Sequence, residues 1–272
     1  MIKIITDSTA YITEEYLKEH DIKVIPLRVL FENEEFEEGL PGTFGPFFEK
    51  FEKSKSFPKT SQPSLLEFID AYNKVIDDGN EAIVFTISSV LSGTNSVANL
   101  AKDQCKDPSK ITVIDSKNAC QTTWGFIMET VDMIKQGKTR EEIVSQLEKL
   151  QEKSAICFVP DTLEYLKRGG RIGKISATLG SLFQIKPILM FKKGNLGCEK
   201  RTLGISKAIS ELIAMIPQNI KRLFLVHISN SKFFEVLKEK IKGKFNVPTF
   251  EGEVGPVVAS HIGPAIGVAW TC

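Results

Sequence analysis

Residues 82–94 read Ala82-Ile83-Val84-Phe85-Thr86-Ile87-Ser88-Ser89-Val90-Leu91-Ser92-Gly93-Thr94, and this stretch decides the fold. Ala82 to Thr86 is a short, almost wholly apolar run with β-branched and aromatic side chains, as expected of a strand covered on both faces. Serines and a glycine follow at once, and a helix is expected after Gly93. A strand, a hydroxyl-rich turn and a helix in that order form the repeating unit of a parallel sheet, whose carboxyl edge is where ligands settle.

The same unit recurs on either side. Ile2 to Ile5 runs into Thr6-Asp7-Ser8-Thr9, and Ile111 to Ile114 runs into Asp115-Ser116. Ile22 to Leu30 supplies a further strand candidate. Between the strands, Leu65, Leu66, Ile69, Tyr72 and Ile76 repeat at helical spacing behind a capping box of Ser64 and Glu67, so that helix starts near Pro63. Another helix is expected near Ala119 to Gln136. A capping box of Thr139 and Glu142 opens one that ends near Lys153. The acidic stretch from Phe31 to Gly42 reads as an exposed loop.

Past Lys153 the pattern changes. Ala155 to Val159 is a strand, a glycine-rich basic turn follows, and Lys193-Gly194-Asn195-Leu196-Gly197 reads as the connection of a hairpin. Leu223 to Ile228 and Gly267 to Thr271 are further strands, with a helix around Phe233 to Ile241 between them. The expectation is therefore α/β, with two domains. Residues 1–153 form an α/β/α domain on a parallel sheet, and 154–272 an α+β domain with a largely antiparallel sheet.

Composition narrows the function. Lys+Arg 35 against Asp+Glu 34 leaves a formal charge of +1, so no broad field draws the chain toward nucleic acid. Its five cysteines are widely spaced without a C-x-x-C pair, and with three histidines neither a disulfide framework nor a metal site is encoded. No run approaches the roughly 18 apolar residues of a membrane span, and the start lacks a secretory pattern, so a cytoplasmic protein is expected.

Thr60-Ser61-Gln62-Pro63 adds one more hydroxyl-rich helix entrance to those after the strands. Two such entrances suit an anion, because amides and hydroxyls can replace the water around a carboxylate or phosphate; helix capping is the alternative use of the same residues. His261 sits in Gly255-Pro256-Val257-Val258-Ala259-Ser260-His261-Ile262-Gly263-Pro264, one polar side chain in a run whose glycines suit close backbone approach. Lys167, Arg168, Arg171 and Lys174 share a basic turn, but the phosphate-loop pattern fails there, with Arg168 and Ile175 at the positions it needs. A nucleophile triad could be drawn from Ser92, His261 and either Asp7 or Asp115. The G-x-S-x-G elbow is absent, which disfavours this serine-hydrolase (esterase) reading.

Taken in order, Thr6-Asp7-Ser8-Thr9, Thr60 to Ser64, Ser92-Gly93-Thr94, Asp115-Ser116, Tyr165 to Lys174 and Gly255 to Gly267 resemble the DegV family along the whole chain. The resemblance implies a two-domain fold enclosing a long-chain fatty acid, and a non-catalytic bacterial carrier without cofactor or metal. It further implies a partner, a separate fatty-acid kinase subunit that converts the presented carboxylate to an acyl phosphate for phospholipid synthesis. Transient membrane contact is compatible with such a carrier. By the resemblance, Thr60, Ser92 and His261 hold the carboxylate and Arg168 joins their network. Arg171 and Arg201 match arginines that meet the kinase. Trp124 and Ala265 depart from residues more frequent in the family, positions that bear on acyl-chain preference.

The physics of such a site is demanding. Burying a dozen methylenes contributes on the order of 10 kcal/mol. An unpaired carboxylate in the same interior would cost several kcal/mol, so hydroxyl and imidazole donors must meet it, His261 being either neutral or protonated.

Overall fold

The computed structural model describes residues 1–172, 185–229 and 232–272; Gly173 and Lys174 of the basic turn lie outside them. The first half contains β1 (Ile2–Asp7), α1 (Glu14–Glu19), β2 (Lys23–Ile25), β3 (Arg28–Phe31), β4 (Glu34–Glu37), α2 (Gly45–Lys53), β5 (Lys59–Ser61), α3 (Leu65–Asp77), β6 (Glu81–Thr86), α4 (Thr94–Gln104), β7 (Ile111–Asp115), α5 (Gln121–Lys135) and α6 (Arg140–Lys153). The second contains β8 (Ala155–Pro160), α7 (Glu164–Arg168), β9 (Ile185–Lys192), β10 (Asn195–Leu203), α8 (Ile205–Ala214), β11 (Arg222–Ile228), α9 (Lys232–Ile241), β12 (Thr249–Glu253), α10 (Pro256–Ile262) and β13 (Ala265–Thr271).

Both capping boxes form. Ser64 Oγ accepts the Glu67 N–H at 3.3 Å while the Glu67 carboxylate accepts the Ser64 N–H at 2.7 Å, and Thr139 and Glu142 repeat the exchange at 3.3 and 2.9 Å. β1, β2, β6 and β7 form a wholly parallel sheet in the order β2-β1-β6-β7. Its outer face packs on α3 and α4 through Ile5, Phe68, Tyr72, Val84 and Ala98. A six-stranded sheet of order β10-β9-β8-β13-β11-β12 follows, antiparallel except for β11 and β12. Its outer face is covered by α8 and α9, with Ile209, Leu212, Leu225, Phe234 and Val268 in that core. The inner faces of the two sheets share one central core, which takes in Phe85, Phe126, Ile156, Phe224 and Val226.

Strand β13 decides where that core is hollow. Side chains alternate across a strand, so Ile266, Val268 and Trp270 go to the outer core while Ala265, Gly267 and Ala269 face inward. Gly267 stands between Phe158 of β8 and Val226 of β11, and a Cβ on it would meet the Cys157 carbonyl at 2.5 Å. At Gly267 the neighbours close over the missing side chain, and of the three inward residues Ala265 is the one that lines open space.

Two expectations are corrected. The run from Ile22 to Leu30 is two strands in different sheets, β2 and β3, separated by Pro26, which cannot donate to a ladder. The acidic stretch is a hairpin first and a loop only from Glu38 onward. β3 and β4 form a hairpin whose two turn residues, Glu32 and Asn33, both have positive φ, as a tight primed turn requires. With β5 they make a third sheet of order β4-β3-β5, and α2 packs Phe47 and Phe51 against Phe31. Helices α1, α2, α7, α8 and α10 add to those expected from the sequence. Among the described residues no helix is long and apolar enough to cross a membrane.

Candidate functional site

An apolar cavity of about 910 Å³, its open mouth included, lies between the two sheets. Its floor is Ile156, Phe158, Phe191, Val226, Ile228 and Ala265, and Leu27, Ile87, Ala119, Cys120, Val257 and Val258 close over it. The polar side chains lining it include Thr60, Ser92, Arg171 and His261. Residues up to 201 apart in sequence thus reach one site.

Each comes from an identifiable local structure. Thr60 is on β5, opposite Val29 of β3. Ser92 precedes α4, where its Oγ lies 2.9 Å from Thr94 Oγ1 and accepts the Thr94 N–H at 3.3 Å. The segment just after β5 meets the Ser92 turn at Gly93, where a Cβ would collide with the Gln62 amide. His261 stands in the last turn of α10, whose C-cap, Gly263, has φ +70° and no room for a Cβ beside the Tyr165 ring. Thr60 Oγ1 and His261 Nε2 are hydrogen-bonded at 2.7 Å.

Burial, and then the Arg171 guanidinium, depress the His261 pKa to about 4, so the ring is neutral at pH 7. A neutral imidazole donates through one nitrogen and accepts through the other. His261 Nδ1 is buried without a protein partner, and the Cα of Gly169 packs so close that a Cβ there would come 2.5 Å from it. Among the described lining residues, Arg171 alone carries a permanent charge. Its Nε donates to Leu91 O at 3.2 Å and its Nη1 to Gly169 O at 2.6 Å, which fixes the guanidinium beside His261. The mouth therefore offers hydroxyls, a neutral imidazole and one cation above a greasy trough, a donor set suited to a carboxylate with a long hydrocarbon tail.

Of the two neighbouring arginines, Arg171 lines the cavity and Arg168 faces away from it. Arg168 is not among the cavity-lining residues. It ends α7, pairs outward with Glu164 one turn back at 2.8 Å, and its guanidinium lies 4.0 Å from the centroid of Phe57. The turn through Gly170, at φ +70°, then brings Arg171 to the mouth. Arg201 is exposed on β10, away from the cavity. The catalytic triad is not assembled. His261 meets Thr60, the Asp7 carboxylate accepts from Thr9 and from the Ile87 N–H at 2.7 Å, and Asp115 accepts from Ser89 and Lys117.

The sequence reading missed Glu38, which is buried at 4% exposure, and Tyr11, at 1%. Nothing local marks either one. Glu38 ends a run of charged residues whose other members are exposed or half-buried, and only the packing of the third sheet turns it inward.

Comparison with known proteins adds to this geometry. The family model described as an uncharacterised protein of the DegV family matches residues 1–272. A DegV domain-containing protein of Clostridium acetobutylicum is 32% identical over 279 residues, spanning 99% of this chain and 97% of the relative. Among solved structures, a fatty-acid-binding DegV family protein from Thermus thermophilus is similar with a TM-score of 0.90 at 29% identity, covering 100% of this chain and 99% of that one. A stearic-acid-binding protein from Eubacterium ventriosum gives a TM-score of 0.88 at 28% identity, covering 100% of this chain and 98% of that one.

Proposed function

The chain belongs to the DegV family, and from that premise we propose that it buries one long-chain fatty acid and presents its carboxylate to a separate kinase subunit. The observation that carries the reading is the apolar cavity between the sheets, with its polar groups gathered at the mouth. A tail of a dozen or more methylenes would lie over Ala265, Val226, Ile156 and Phe158, gaining about 0.8 kcal/mol per methylene removed from water. Thr60, Ser92 and His261 would meet the carboxylate as neutral donors, and Arg171 would supply the countercharge.

This chain then does no covalent chemistry. The acid stays a carboxylate while bound, and its activation falls to the kinase partner, with exposed Arg201 as a docking residue and Arg171 at the rim serving both ligand and partner. Residues 1–153 would supply the head-group hydroxyls, and 154–272 the trough and the basic docking residues.

Denaturation of the purified protein, extraction and mass spectrometry test the reading directly. About one equivalent of a long-chain acid per chain is expected. Lipid-free protein that also refuses added stearate would remove the proposal. Arg201→Glu is expected to leave stearate binding intact while lowering acyl-phosphate formation by the kinase subunit.

A further inference from the structure

Helix α10 carries His261 at its C-terminal end, and its opposite end poses a problem of unpaired donors. The first turn of a helix leaves its amides without intrahelical partners. Pro256 has no N–H to satisfy, and Ala259 donates to Gly255 O at 3.0 Å. Gly255, the N-cap residue, makes no side-chain cap. The remaining two amides are met from far away in sequence. Val257 N–H donates to Glu38 Oε1 at 2.7 Å, and Val258 N–H donates to the Tyr11 hydroxyl at 3.2 Å.

These acceptors are themselves tied together. The Tyr11 O–H donates to Glu38 Oε1 at 3.1 Å, and Ser8 Oγ–H donates to Glu38 Oε2 at 2.7 Å while accepting the Leu27 N–H at 3.1 Å. Glu38 N–H in turn donates to Leu27 O at 2.8 Å. One buried carboxylate, in no ion pair among the described residues, thus takes three donors from the turn after β1 and from α10. It does so from the end of the small sheet that also carries Thr60. Close approach is required: a Cβ on Gly255 would lie 2.6 Å from the Phe44 ring and 2.8 Å from both Glu38 Oε1 and the Tyr11 ring.

The small sheet therefore grips α10 twice, at Val257 through Glu38 and at His261 through Thr60. Val257 and His261 are four residues apart and share a face of a helix only about 10 Å long, so a shift at one end carries to the other. Resting on the carrier reading above, we propose that Glu38, with Tyr11, is a positioning residue of the head-group site: it fixes α10 so that His261 stays in register with Thr60 when the ligand's carboxylate competes for the same donors. Glu38 never touches the ligand in this arrangement. Burial, weighed against its three donors, pushes its pKa up to about 7, with Asp7 adding in the same direction; Tyr11 and Cys120 are the other titratable groups around it.

The test compares Glu38→Ala, Glu38→Gln and Tyr11→Phe with the wild type, using stearate as the probe. It reads stearate affinity and, without any acid, the NMR signals of the His261 ring, with His20 and His227 as internal controls. Glu38→Ala is expected to move the His261 signals alone and weaken stearate binding about tenfold. Tyr11→Phe should do the same about threefold. Glu38→Gln, whose amide oxygen still accepts from Val257 N–H, should restore both to near wild type. Unmoved His261 signals or unchanged affinity in folded variants would overturn the proposal, and Tyr11→Phe decides alone should Glu38→Ala fail to fold. A wild type that refuses stearate while the His261 signals still shift would remove the carrier reading and leave the positioning role standing.

Discussion

The two ends of α10 meet the same small sheet under opposite conditions. At the N-terminal end every described polar group near Glu38 has a partner and a Cβ has no room, so that end is a closed joint. At the C-terminal end His261 has one partner among the described residues, Thr60, its Nδ1 has none among them, and the ring lines a cavity. The difference teaches that one helix can be anchored by saturated hydrogen bonds at one end and left incompletely paired at the other, beside the cavity.

The sharpest way to break this contrast is to add the same methyl at each end. Gly255→Ala forces apart Phe44, Glu38 and Tyr11, and is expected to lower stability by about 3 kcal/mol, read as a shift in the urea midpoint. A stability loss below 1 kcal/mol would mean that the closed joint is slack. His261→Ala and Ser92→Ala should leave stability nearly unchanged and weaken stearate binding by about 2 kcal/mol each, measured by calorimetry, because the carboxylate loses a donor it cannot replace from water. Gly169→Ala presses on His261 Nδ1 from outside the helix and should cost about 1 kcal/mol of binding, most of it as faster release.

The smallest effect is in the pH dependence, and it has opposite signs at the two ends. The Glu38 pKa rises from its ordinary 4.5 to about 7, so the folded state holds a proton that the unfolded chain has released. Its contribution is full below pH 4.5 and is lost as pH rises through 7. The His261 pKa falls from 6.5 to about 4, so the unfolded chain holds the extra proton, and that contribution is full above pH 6.5 and lost as pH falls through 4. Between pH 4.5 and 6.5 the two slopes oppose each other. Glu38→Gln should therefore make stability rise with pH across this window relative to wild type, and His261→Asn should make it fall; denaturant midpoints at half-unit steps check both signs. Buried Asp7, also raised by desolvation, adds to the Glu38 direction, while burial, and after it the nearby Arg171, keeps the His261 ring neutral.

Much of the architecture was legible because its signals are local. The apolar runs at Ile2, Ala82 and Ile111 each pair with a hydroxyl turn, and the capping boxes at Ser64 and Thr139 open α3 and α6 within a residue or two of expectation. The hairpin at Lys193-Gly194 was readable for the same reason, both residues having positive φ. Thr60, Ser92 and His261 could be named from motif order. The resemblance also implied that they share one site, but no local pattern shows it, since 201 residues separate Thr60 from His261.

The sequence by itself determined the strand and helix periods, the helix starts and the turn chemistry, since each depends on neighbours within a few positions along the chain. The tertiary structure alone decided that Arg171 rather than Arg168 reaches the mouth, that Ala265 lines the cavity, and that Glu38 turns inward to meet α10. The physical reason is desolvation. Whether a charged or small side chain is buried, paired or exposed depends on what packs over it from distant segments, and no local pattern carries that information.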